Sequence, residues 1–165
     1  MPMTSKERVL GREQDRGHTK GKADALDLSK RADGMDGTAI IAEQQKVPLF
    51  VPGADYSACP KGAPIGEIID GELQIFTMIT PVNTARYPGI TPNTQRDLYS
   101  LCHTKDPKRA KLWVAPLGIS GLYALDECCV DAGHVWRSAQ NDNAFSPSAY
   151  PSYWVDLGAV EEVRL

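Results

Sequence analysis

Six residues between positions 136 and 154 have side chains suited to holding a sugar: Trp136, Asn141, Asp142, Tyr150, Tyr153 and Trp154. The apolar face of a pyranose packs on an aromatic ring, and nearby amides and carboxylates take its hydroxyls. Other chemistry has less to work with. Asp126, Glu127 and Asp131 are close enough in sequence to form a carboxylate pair, but carboxylates around a hairpin are far more often solvated turn residues. His103 and His134 stand without a serine or cysteine in a triad-like context, so no catalytic residue is assigned. The cysteines at 59, 102, 128 and 129 include no Cys-x-x-Cys pair, and His18, His103 and His134 are scattered. Neither a metal site nor a cofactor is therefore expected, and the thiols read as small buried hydrophobes.

The elements that must position the six residues are short. From Gly133 to Ala139 apolar and polar residues alternate, which predicts a half-buried strand with Val135 and Trp136 on opposite faces. The Asn- and Asp-rich stretch 140–143 favours a turn, and Pro147 and Pro151 hold an extended return that brings Trp154 back to the strand. A similar pattern occurs upstream. Ile75, Phe76 and Asn83 stand sixty residues before Val135, Trp136 and Asn143, and Tyr99 takes the place of Trp154. Each copy also has an upstream tyrosine (Tyr56, Tyr123) and a glycine before the central strand (Gly71, Gly133). Two similar units are the expectation. Trp136 and Trp154 are also what so small a unit needs for a core, the reading the pattern favours for both. Tyr150 and Tyr153, beside prolines in a loop, divide evenly between core and surface. Phe76, Tyr99, Tyr56 and Tyr123 are expected in the core.

Composition limits the partners. Hydrophobic residues make up 42% and charged residues 24%, ordinary for a globular chain, and the net charge is −3. Binding to nucleic acid needs a concentrated basic surface, and this sequence has none. No apolar run is long enough to span a bilayer, and the N-terminus lacks the apolar centre of a signal peptide. Membrane insertion is not expected, and the product is expected to be made in a cytoplasm and kept there or exported without a signal of its own. The 14 glycines and 12 prolines gather after Pro48, which favours short strands and many turns.

The chain then divides into three. Residues 1–47 form an arm: residues 1–22 are read as extended, Asp24 caps a short helix over 25–32 that Gly34 ends, and a second helix is expected over 38–45. Leu26, Leu28, Ile40 and Ile41 give the arm an apolar face too small for a core of its own, so it must bury against the β-units or another subunit. Residues 48–111 form the first β-unit and a charged connector, with an Asp70-Gly71 hairpin turn before a strand over 73–80. Residues 112–165 form the second, in which 125–130 pairs with 135–138, and 160–165 is a last strand or a frayed tail. The fold class is mainly β: two small tandem β-modules behind an arm with short helices.

Trp113-Val114-Ala115-Pro116-x-Gly118, Gly121-Leu122-Tyr123 and Tyr150-Pro151-x-x-Trp154 resemble small carbohydrate-binding modules of the chitin-binding type, families 5 and 12. Tandem copies behind a helical segment resemble virion proteins of bacteriophages and prophages associated with tails and fibres. That resemblance implies a non-enzymatic structural protein of the virion, assembled in the bacterial host cytoplasm. Its arm would dock on other virion proteins of tail, fibre or capsid, or join copies of itself into a homo-oligomer, while its modules project toward cell-surface polysaccharide. The alternative it implies is a free-standing carbohydrate-binding protein, and a third reading is an accessory domain of a hydrolase. Modules of this type present two neighbouring exposed aromatics; Tyr153-Trp154 is nearest to that here, against Leu98-Tyr99 in the first copy. Sugar recognition is thus expected of the second unit.

Overall fold

A computed structural model describes residues 21–165, so most of the stretch read as an extended arm, residues 1–20, lies outside the described residues. From residue 21 the chain is already helical, and helix α1 covers 21–31. Asp24 therefore lies inside the helix and does not cap it. A 3-10 turn over Ala32–Gly34 leads to α2, Gly37–Ala42, whose N-cap is Asp36: its side chain accepts the Ala39 N–H at 2.8 Å. Arg31 ties the two helical pieces together, pairing with Asp27 and with Glu43, each at 2.8 Å.

The rest is mainly β, in two sheets. The first contains β1 (Pro64–Ile69), β2 (Glu72–Met78) and β3 (Tyr99–Leu101) in that order, all antiparallel. The second contains β4 (Lys111–Leu112), β5 (Cys128–Asp131), β6 (His134–Ser138) and β7 (Trp154–Ala159). β4 runs parallel to β5 and the other pairs are antiparallel. Each sheet turns its hairpin with two residues of positive φ, Asp70-Gly71 (51° and 81°) and Ala132-Gly133 (50° and 77°). Such turns match the twist of the flanking strands. Alanine has no special fitness for that conformation, and the strands on either side hold it there.

Pairing follows the same scheme around residues sixty apart. Phe76 faces Ile65 across the first hairpin, and Trp136 faces Cys129 across the second. Met78 faces Tyr99 where Ser138 faces Trp154. Gly66, opposite Ile75, also meets Leu49 in a parallel bridge; Val130, opposite Val135, meets Leu112 in the same sense. The loop asparagines differ, since Asn83 bridges to Asp55 and Asn143 to Tyr123.

Pleating puts Ile75 and Phe76 on opposite faces of β2, and both are fully buried. Leu28, Ala32, Ile40, Ile41 and Val47 cover Ile75, so the arm's apolar face is buried against the first sheet. Leu26, expected in that face, is 54% exposed. Ala63, Ile65, Met78, Tyr99 and Leu101 enclose Phe76. In the second sheet Val135 lies among Ala110, Cys128 and Val130, with Val160 and Val163 packed beneath. The C-terminal segment is thus neither a strand nor a frayed tail: Val160–Val163 forms one helical turn, α3, because its two valines have an apolar sheet face to cover. Cys128 and Cys129 fall in different clusters on opposite faces, as the alternation predicts. Among the described residues no helix is long and apolar enough to cross a membrane.

Polar contacts join the sheets. Gln74 Nε2 donates to Leu112 O at 2.9 Å, Lys111 Nζ to Leu73 O at 2.7 Å, and Leu112 N–H to Glu72 Oε2 at 2.6 Å. The arm is fitted to this junction as well, and Thr38 Oγ1 accepts the Lys105 N–H at 2.9 Å. At Gly37 a Cβ would lie 2.3 Å from the carbonyl oxygen of His103. Gly37→Ala is therefore expected to cost about 1–3 kcal/mol by overpacking, read as a lower thermal midpoint. Gly34→Ala, where nothing lies within 4 Å of the added carbon, is the control and should not destabilise.

Candidate functional site

The loop 139–153 between β6 and β7 carries an exposed aromatic cluster, and buried polar groups fix its shape. Asn143 is fully buried; its amide donates to Ser138 Oγ at 3.1 Å and to Tyr153 O at 3.3 Å, and its backbone pairs with Tyr123 in both directions. Asp142, at φ 53°, makes the sharp turn just before it. The Trp154 indole donates to Phe145 O at 2.9 Å, and Asp131 Oδ2 accepts from Ser148 N and Oγ at 2.9 and 2.7 Å. Every end of the loop is thus tied to a strand or to a hairpin turn.

Three rings sit on this support. Tyr150 stacks on Tyr153 with centroids 5.1 Å apart and planes 10° from parallel, and Phe145 leans on Tyr150 at 4.5 Å. Phe145 and Tyr150 are each 44% exposed, and Tyr153 is half-buried. Stacked rings cover one face of each other, so Tyr150 offers its outer face, and the cluster is a single platform, not two rings side by side.

The six expected site residues separate. Tyr150 and Tyr153 meet. Trp154 is only 5% exposed, edge-on to Tyr123 at 5.2 Å, and serves the core. Trp136 is half-buried in the same cluster as Trp154 and spends its indole N–H on Asp131 O at 3.1 Å. Asn141 is exposed, with its side-chain oxygen accepting the Leu125 N–H at 3.0 Å, and Asp142 is exposed at the turn. Phe145 is the residue that sequence reasoning missed. It follows a polar loop and obeys no strand or helix period, so only its place between Asn143 and Tyr150 hinted at it. Beside Trp136, His134 Nδ1 lies 2.9 Å from Asp156, whose carboxyl that contact and the Gly158 N–H hold below the usual carboxylate range.

Beneath the cluster His103 is buried and stacked on Tyr123 at 3.6 Å, with Nε2 donating to Gly121 O at 2.8 Å. That bond fixes the tautomer. Burial pushes the imidazole down to about 4, and Arg96 nearby acts in the same direction. Burial likewise raises the Tyr123 phenol and the Cys102 thiol, the latter to about 12. At neutral pH the imidazole is therefore uncharged and the phenol and thiol keep their protons.

Two outcomes follow from this placement. Trp154→Ala removes a buried indole and should cost about 3–5 kcal/mol, whereas Tyr150→Ala should stay within about 1 kcal/mol of the parent in denaturant melts. His103 is neutral in the folded chain and protonates on unfolding below its ordinary 6.5. Stability is therefore full above that pH and falls toward about 4, by about 3 kcal/mol in all. Glu127, whose carboxyl burial raises, works in the opposite sense nearer its own range. Glu127 acts in parent and variant alike, so the comparison isolates the imidazole: His103→Gln should flatten the fall between pH 6.5 and about 4.

Compared with known proteins, the chain matches no family model and no curated protein at a significant level.

Proposed function

We propose that this is a non-enzymatic binding and assembly protein of the phage-particle type, built from two divergent copies of one small β-module. In this reading the second module contacts cell-surface polysaccharide through the outer face of Tyr150. The observation that carries it is the exposed Phe145–Tyr150–Tyr153 cluster on a loop fixed by Asn143 and Trp154. Solvent-exposed rings on a rigid support are unfavourable to leave bare and well suited to a sugar face. The shared pairing around residues sixty apart supports the duplication. Many weak contacts on one particle would add to useful avidity.

A specific observation favours a second reading, a free-standing glycan-binding protein. Residues 28–47 lie folded on the first sheet, with Leu28, Ile40 and Ile41 spent on its core, and do not project from it.

Retention on insoluble chitin and on peptidoglycan tests the shared part. The parent should bind, and Tyr150→Ala with Tyr153→Ala should weaken binding at least tenfold while leaving the melting curve close to the parent's. Equal retention by parent and variant would sink the glycan reading. Mass spectrometry of purified particles separates the rest: stoichiometric copies support the particle role, and binding without incorporation supports the free-standing one.

A further inference from the structure

A cleft that shares no lining residue with the aromatic cluster lies where the arm, the first sheet, the connector and the C-terminal turn meet. It has a volume of about 430 Å³, and its wall carries Lys108, Arg109, Lys111 and Arg164 against Glu72 and Asp106. Four cations face two carboxylates. Those carboxylates are already committed: Glu72 Oε2 to the Leu112 N–H, and Asp106 Oδ1 to the Lys108 N–H at 3.0 Å. Their remaining oxygens stand 3.8 Å from Arg164 and 3.6 Å from Arg109, too far for a good hydrogen bond.

Lys111 makes the imbalance acute. It is only 9% exposed, its ammonium donates to a single neutral acceptor, Leu73 O, and no carboxylate among the described residues lies within 4 Å of it. A buried ammonium normally has an anionic partner. Burial, with Arg164 acting alongside it, holds Lys111 below the ordinary lysine range despite Glu72. Gln44 lines the same cleft, and its side-chain oxygen is buried with no hydrogen-bond partner among the described residues. Arg164 Nη2 donates to Ala110 O at 2.6 Å, so the charge left without a hydrogen-bonded carboxylate on the cleft wall is chiefly that of Lys108, Arg109 and Lys111, beside an acceptor that lacks a donor.

We infer that this cleft binds a small hydroxylated oxyanion of monosaccharide size, such as a uronic acid, with its carboxylate on Lys111, Lys108 and Arg109 and a hydroxyl on Gln44. The volume is that of a small-molecule pocket. A carboxylate there would supply the partner that Lys111 lacks, and a hydroxyl would satisfy the orphaned amide oxygen.

The test is a titration followed by amide resonances at constant ionic strength, with glucuronate, glucose and inorganic phosphate as probes. Glucuronate should move the amides of Gln44, Ala110 and Lys111 saturably, more tightly than phosphate, and glucose should leave them unmoved. Lys111→Met should weaken binding at least tenfold. Lys108→Gln combined with Arg109→Gln, both exposed positions, should weaken it several-fold and keeps the test alive if Lys111→Met fails to fold. Tyr150→Ala should bind glucuronate as the parent does, which separates this cleft from the aromatic cluster. The inference is overturned by no saturable shift with glucuronate, by equal shifts with glucose, by phosphate binding as tightly, or by unchanged affinity in the Lys108/Arg109 variant.

Discussion

A strand with large apolar residues at adjacent positions can be buried only if both faces of its sheet find cover. β2 and β6 are such strands, with Ile75 beside Phe76 and Val135 beside Trp136. Sheets of three and four short strands cannot supply that cover themselves. The remaining architecture answers this need. One face of each sheet takes a helical lid, α1 and α2 over Ile75 and α3 under Val135. The other takes aromatic residues returning from a long loop, Tyr99 in the first and Trp154 with Tyr123 in the second. The surface cluster follows from the same demand, since Trp154 can reach the core only through a loop that ends in Tyr150 and Tyr153.

The junction between the sheets is made differently. Carbonyls and side-chain polar groups meet there through Gln74, Glu72 and Lys111, and a neutral histidine sits against Tyr123. Directional bonds of this kind fix an orientation, and each donor or acceptor left unmatched is costly. The junction therefore carries a buried ammonium, Lys111, beside the uncharged His103 and Gln74. The loop between β6 and β7 offers rings, and the cleft beside the connector offers cations.

Much of this was legible in the sequence wherever a local rule governs. Asp70-Gly71 announces its turn, and the alternation in 133–139 puts Val135 and Trp136 on opposite faces. What stayed hidden depends on contacts distant in the chain. Val160 and Val163 read as strand or tail because four residues carry no period; only the Val135 face makes them a helix. For Trp154 the sequence carries both a core and a ligand reading and favours the core, and the contact that buries it is with Tyr123, thirty-one positions earlier. Phe145 obeys no repeat, and the cationic cleft joins positions 44, 72, 106–111 and 164, which no motif spans.

The strand pairings also bear on how the chain reaches this state. Within either sheet no paired residues stand more than 25 positions apart, as in Phe76 with Leu101 and His134 with Ala159. The contacts between sheets reach further, 38 positions from Gln74 to Leu112. Loop closure is less demanding for the nearer partners, so each sheet can assemble from its own stretch of chain before the two dock. His103 and Lys111, both buried where the two sheets meet, give up their water only when the sheets come together.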